Sequence, residues 1–133
     1  MKKSILLNSD ISRVVSQMGH FDTLTIGDAG LPIPDEVERI DLAIKLGIPS
    51  FLDTFDAVMS ELCVQKMTIA KEASEKNKVL FNFFVSYCKK NKIQLTQVSH
   101  EEFKVLTKNS RAVIRTGECK PYANVILESG VTF

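Results

Sequence analysis

The architecture is written most legibly in residues 64–98, VQKMTIAKEASEKNKVLFNFFVSYCKKNKIQLTQV. Val64–Ala70 is a short, apolar-rich run with strand character. Ser74–Lys90 places Val79, Leu80, Phe83, Phe84 and Tyr87 at helical spacing, so one stripe of a long helix is apolar. Ile93–Val98 returns to strand. A strand, a helix and a second strand in immediate succession imply an α/β layering, in which helices cover a largely parallel sheet.

The same alternation extends in both directions. Towards the amino terminus, Ser50–Leu62 reads as a helix with Phe51, Phe55, Val58, Met59 and Leu62 on one side. Arg39–Ile44 reads as a strand. Ala29–Pro34 carries two prolines within three residues, which suits neither a helix nor a central strand, so it is a loop. Thr23–Asp28 alternates polar and apolar residues as strands do. Ser9 or Asp10 opens a helix to about Met18, with Ile11, Val14, Val15 and Met18 on one face and Gly19 as its stop. Lys3–Leu7 is a short strand or an extended entry. Towards the carboxyl terminus, Ser99 caps a short helix over Glu101–Leu106. Ala112–Arg115 and Ala123–Leu127 are strands around a turn over Gly117–Pro121. No linker, repeat or low-complexity stretch interrupts the pattern. The expected fold is one domain over residues 1–133, an α/β layered sandwich with a largely parallel central sheet flanked by helices.

Composition narrows the function. Seventeen basic against sixteen acidic residues leave a net charge of +1, which argues against nucleic-acid binding through a general basic surface and against a polybasic membrane anchor. It leaves small neutral ligands and self-association open. No apolar run approaches the roughly 20 residues that span a bilayer. The start, MKKSILLNSD, has only Ile5–Leu7 as its apolar run, too short for a signal peptide, and points to a cytoplasmic protein. The three cysteines, Cys63, Cys88 and Cys119, are irregularly spaced. They offer no disulfide framework, zinc pair or redox pair, and read as idle thiols in a reducing compartment.

Few residues are candidates for chemistry. His20 and His100 are the only histidines, and histidine is the side chain whose ordinary pKa lies nearest neutrality. His20 follows Gly19 at an expected helix end, where the partial negative charge favours the protonated ring that a proton donor requires. A surface histidine that merely helps end a helix reads the same way. His100 lies where a strand meets a helix, the end of an α/β sheet at which ligands gather; a polar helix-start residue would also sit there. Asp28 ends a strand and enters a stiff loop, suited either to accept hydrogen bonds from a ligand hydroxyl or to close an Asx turn. The ten residues from Arg115 to Asn124 gather a guanidinium, a carboxylate, a phenol and an amide. Tyr122 and Asn124 offer donors and acceptors without net charge, which suits a neutral polyol; a water-facing hairpin would carry the same residues. Gly27-Asp28-Ala29-Gly30 is too short and wrongly spaced for a dinucleotide fingerprint. Two histidines eighty positions apart make no metal signature, and no nucleophile elbow supports a serine hydrolase.

Taken together, these segments resemble the D-ribose pyranase family. The resemblance is carried by Leu7-Asn8-Ser9-Asp10-Ile11-Ser12, Met18-Gly19-His20 with Asp22-Thr23-Leu24, and Asp28-Ala29-Gly30-Leu31-Pro32-Ile33-Pro34. It continues in Arg39-Ile40-Asp41-Leu42-Ala43 and Gly47-Ile48-Pro49-Ser50-Phe51. Ala112–Cys119, Pro121-Tyr122-Ala123-Asn124 and Gly130-Val131-Thr132-Phe133 complete it. The segments stand in the family's order, and residues 52–98 are less distinctive. The related L-fucose mutarotases share the Gly-His and Tyr-Ala-Asn elements, whereas the loop Ala29–Pro34 looks like the ribose side.

The resemblance implies a cytoplasmic isomerase without metal or cofactor that interconverts the pyranose and furanose forms of D-ribose. It implies His20 as proton donor, and Asp28, His100, Tyr122, Ala123 and Asn124 as substrate-binding residues. It also implies a ring-like homo-oligomer, a decamer, with sites near subunit contacts. Opening the sugar ring needs a proton delivered to the ring oxygen and one removed from the anomeric hydroxyl, so one acid and one base suffice. His100 or a bound water is available as the base. Three rival readings use the same residues: a fucose-type mutarotase, a sugar-binding accessory protein without catalysis, and a purely structural oligomer.

Overall fold

Leu24, Thr25 and Ile26 are fully buried on successive positions, so the strand that carries them is covered on both faces and must lie inside a sheet. A computed structural model describes residues 1–133 and shows this arrangement. Six strands, β1 (Thr23–Gly27), β2 (Glu38–Asp41), β3 (Val64–Ala70), β4 (Gln94–Val98), β5 (Ser110–Arg115) and β6 (Val125–Ser129), form one sheet in the order β2-β5-β1-β6-β3-β4. β1 pairs in parallel with β5, β5 with β2, and β3 with β4. β6 runs antiparallel to both of its neighbours, β1 and β3. Five strands therefore share one direction, and β6 alone opposes them. The expectation of a largely parallel α/β sheet holds, with one antiparallel strand at its centre.

The period-2 alternation of strands sorts side chains between the two faces. Leu24 and Ile26 of β1, Ala112 and Ile114 of β5, Val125 and Leu127 of β6, and Met67 and Ile69 of β3 join the main core. On that face pack α1 (Ser9–Gln17), α2 (Phe51–Met59) and α4 (Lys78–Asn91), which contribute Ile11, Phe51, Phe55 and Phe84. Phe51, Phe55 and Phe84 meet at ring separations of 5.7 to 5.9 Å, within the range favoured by aromatic pairs. The residues between, Val113 and Ile126, turn to a smaller core with Leu31, Val37 and Phe103 of α5 (His100–Leu106).

Several local expectations change. Lys3–Leu7 forms no strand, although Leu6 is buried. β2 ends at Asp41, short of Ile44. The helix expected over Ser74–Lys90 is broken: α3 (Ala73–Lys76) stops at Asn77, whose side chain accepts from Leu80 N–H and starts α4. Asparagine is a favoured N-cap, and this role outweighs helix continuity. α1 ends at Gln17, and Gly19 does not take the left-handed conformation of a glycine stop. Its N–H instead donates to Asp22 at 2.8 Å. His20 lies two residues beyond the C-cap, Met18. The strands around Gly117–Pro121 do not form a hairpin: β1 lies between β5 and β6.

Gly27, at the carboxyl end of β1, is required by close approach. A Cβ there would stand 2.6 Å from Leu31 Cδ2 and 3.2 Å from Asn124 Oδ1. Gly27→Ala is expected to lower stability by about 1–3 kcal/mol, as overpacking does. A thermal melt should show this as a drop of about 4 °C per kcal/mol for a chain of this size; an unchanged midpoint would mean that Leu31 and Asn124 yield freely.

Candidate functional site

The shared strand direction gives the sheet a carboxyl edge, and ligands of open α/β sheets bind outside such an edge. Asp28 leaves β1 there. Asn124 enters antiparallel β6 at the same edge, directly beside it. Asn124 Oδ1 accepts the Asp28 backbone N–H at 2.8 Å, and Asn124 Nδ2 donates to Asp28 Oδ2 at 3.0 Å. Asp28 Oδ1 also accepts from Gly30 N–H at 3.0 Å, so the Asx turn and the polar cluster coexist. Burial raises the Asp28 carboxyl above its ordinary value, against the lowering effect of the bonds from Gly30, Asn124 and Leu31 and of nearby His100. Asn124 and Ala123 are buried, and Tyr122 is half-buried with a φ of 55°. Left-handed backbone is uncommon for a bulky residue, and such strain collects at ligand sites.

His100 arrives from the other side of this edge, as the first residue of α5. Ser99 caps the helix, its Oγ accepting from Glu102 N–H at 3.2 Å. Glu72, just beyond the end of β3, accepts the His100 N–H through both carboxylate oxygens at 3.1 Å. That bond outweighs desolvation and holds the Glu72 carboxyl below its ordinary value. The His100 ring stands edge-on to Tyr122, with 5.1 Å between centroids, and parallel to Phe103. His100 Nδ1 is buried without a hydrogen-bond partner in the chain, which is costly unless a ligand hydroxyl meets it. Arg115 Nε donates to Ala29 O at 3.0 Å and its Nη1 pairs with Asp41, fixing the loop after Asp28.

Asp28, His100, Tyr122, Ala123 and Asn124 thus form one cluster, rich in neutral donors and acceptors around one carboxylate and one imidazole. His20 is not part of it within one chain. It precedes β1, whereas Asp28 follows it, and four residue steps of strand at about 3.3 Å each separate the two ends by more than about 13 Å. His20 is exposed, stacks on Phe21 with 3.7 Å between ring centroids, and faces Gln65 Oε1 from its Nε2 at 3.0 Å. Beside it opens a cleft of about 420 Å³ lined by Met18, Glu61, Cys63 and Phe133. This cleft and one of about 310 Å³ at Phe21 and Lys66 belong to the amino edge and do not touch Asp28 or His100. Cavity size therefore does not mark the polar cluster. The unpartnered His100 Nδ1 and the carboxylate of Asp28 do.

Glu72 and Gln65 carry no local signal in the sequence. Each is a single polar residue in an unremarkable position until β4 and β1 bring His100 and His20 against them. No group of three or more His, Cys, Asp or Glu is placed to hold a metal ion. The three cysteines are unpaired, and no helix is long and apolar enough to cross a membrane.

Comparison with known proteins identifies the family. The family model described as the RbsD / FucU transport protein family matches residues 1–132. A D-ribose pyranase from Thermoanaerobacter pseudethanolicus is 55% identical over 133 residues, covering 100% of both chains. One from Haemophilus influenzae is 50% identical over 139 residues, again covering 100% of both. The structure of Bacillus subtilis RbsD complexed with D-ribose superposes with a TM-score of 0.94 at 44% identity, over 100% of each chain. That of the fucose mutarotase from Streptococcus pneumoniae in complex with L-fucose gives 0.76 at 21% identity over 100% of each, a likeness of fold alone. With its whole length matched and its architecture shared, the chain belongs to the RbsD / FucU transport protein family.

Proposed function

We propose that this protein is an isomerase that interconverts the pyranose and furanose forms of D-ribose. The observation that carries the reading is the cluster at the carboxyl edge, where Asp28 and Asn124 clamp each other and His100 presents an unpartnered Nδ1. The full-length likeness to D-ribose pyranases supports the substrate. Asp28, His100, Tyr122, Asn124 and the backbone at Ala123 hold the sugar hydroxyls. His20 donates a proton to the ring oxygen as the C1–O bond breaks, while the anomeric hydroxyl gives its proton to a base, His100 or a bound water, and becomes the carbonyl. Rotation and attack by a different hydroxyl on C1 close the other ring, with the proton transfers reversed. No electrons are exchanged with a cofactor, so acid–base groups suffice.

His20 and Asp28 lie at opposite ends of β1, so one chain cannot bring both to one sugar. The reading therefore requires a homo-oligomer in which His20 of one copy faces the Asp28 cluster of another. Ile44, Leu46, Phe21 and Phe133 are exposed apolar side chains available for such contacts. The decamer and the cytoplasmic location implied by the family resemblance belong to this proposal.

Two predictions follow from this arrangement. Each of His20→Ala and Asp28→Asn is expected to slow ribose ring exchange at least tenfold, the first because a lost proton-transfer group costs about 10² or more, the second because the sugar loses a charged acceptor. Unfolding the two inactive variants together and reassembling them at equal amounts should restore activity, because about one site in four then receives both intact halves. No recovery from the mixture would place both residues in the same copy. The second concerns pH. Burial raises the Asp28 carboxyl above the ordinary aspartate value, so acidification protonates it while exposed aspartates are still ionised. A raised folded pKa contributes stability at low pH and loses it as pH rises, so this protonation does not itself unfold the chain. Glu72, held low, keeps α5 anchored meanwhile. The KM for ribose should therefore rise on mild acidification while the near-ultraviolet circular dichroism stays constant, and the Asp28→Asn variant should lack that component.

A further inference from the structure

His20 is exposed, yet its ring is held at three removes. Gln65, at the start of β3, places Oε1 3.0 Å from His20 Nε2. Gln65 Nε2 donates to Glu128 Oε1 of β6 at 2.9 Å. The other carboxylate oxygen of Glu128 pairs with Lys66. Burial pushes the Glu128 carboxyl up, but the bonds from Lys66 and Gln65 and the charges of Lys66 and His20 leave it below its ordinary value. It is therefore an anion at neutral pH. Only one assignment of hydrogens satisfies this chain. A carboxylate ion accepts and cannot donate, so the amide nitrogen of Gln65 must face Glu128 and its carbonyl oxygen must face His20. The Nε2 of His20 then carries a hydrogen in both charge states, and Nδ1 is the nitrogen left to gain and lose the second proton.

We propose that Gln65, backed by Glu128, is a positioning residue for His20: it fixes the imidazole ring and reserves Nδ1 for proton transfer to the sugar. The inference rests on His20 being the proton donor. In the step it serves, the Nδ1 proton passes to the ring oxygen as the C1–O bond breaks, and Nδ1 recovers a proton in the reverse transfer on ring closure. Gln65 loses and gains nothing. A neutral amide orients the ring without competing for its proton, as a carboxylate in the same place would. Gln65 sits at the register irregularity between Val64 and Lys66, where β3 pairs with β6, and such bulges re-aim a side chain. The stacked Phe21 limits tilt about the remaining axis.

The test measures pyranose–furanose exchange by magnetisation transfer over a range of ribose concentrations, with the full-length assembled protein. Gln65→Leu should lower kcat about tenfold or more and leave KM unchanged, since Gln65 does not touch the sugar. Gln65→Ala, which adds no apolar surface, should behave alike. Gln65→Glu sets a carboxylate against both Glu128 and Nε2, so it should not recover the loss and should move the pH profile of kcat to higher pH. In a His20→Ala background, Gln65→Leu should cost nothing further, because its effect acts only through the ring. A change confined to KM, an equal cost in both backgrounds, or no cost in Gln65→Leu and Gln65→Ala overturns the proposal. Should His20→Ala leave no catalysis to reduce, the kcat–KM split and the pH profile of Gln65→Glu decide the matter. Full activity in His20→Ala alone would overturn the donor assignment itself, independently of any Gln65 variant.

Discussion

The reciprocal hydrogen bonds between Asp28 and Asn124 tie the end of β1 to the start of β6. β6 is the one strand that runs against the others, and only because it does can residue 124 stand beside residue 28. Had β6 been parallel, Asn124 would have entered at the amino edge, a strand length away from Asp28. The clamp serves two ends. It satisfies the buried amide of Asn124, which would be costly unpaired, and it holds a carboxylate of raised pKa at the carboxyl edge of the sheet. Gly27 permits it by leaving room for Leu31 and Asn124.

Sheet polarity then divides the chemistry. Loops after β1, β3 and β4 bring Asp28, Glu72 and His100 to the carboxyl edge. The segment before β1, with the start of β3 and the end of β6, brings His20, Gln65 and Glu128 to the amino edge. Within one chain the two groups are a strand apart. A catalyst that uses both must place the amino edge of one copy against the carboxyl edge of another, so assembly and catalysis become one requirement. The small net charge, which offers little long-range repulsion between copies, suits that requirement.

Much of the fold was legible because local patterns report local structure. The alternation in Thr23–Asp28 appears as β1, and the apolar stripe from Leu80 to Tyr87 as one face of α4, with Val79 left exposed. The same logic failed where a competing local bond prevailed, as at Asn77, which caps α4 and ends α3. It also failed where pairing is non-local. Nothing in Ala112–Leu127 announces that β1 will slip between β5 and β6, since register with a strand nearly ninety residues away leaves no mark in the neighbouring sequence. The candidate site divides in the same way. Asp28 and His100 were readable as residues at strand ends, the positions where ligands gather. Gathering them with Tyr122 and Asn124 needed the family resemblance first and the topology afterwards. Gln65 and Glu72 were unreadable, because their roles exist only through contacts with His20 and His100 across the sheet.

The claim at the centre of this account is that the clustered hydroxyl-binding groups and the histidine serve ring opening and reclosure of a pentose. Magnetisation-transfer NMR on D-ribose at equilibrium tests it most directly, because spontaneous exchange supplies the baseline within the same sample. The account predicts that catalytic amounts of the protein carry saturation from the pyranose to the furanose signals at a rate that rises in proportion to protein concentration. An exchange rate unchanged from the baseline, in a sample where the folded protein demonstrably binds ribose, would contradict it and leave a sugar-binding protein without catalysis.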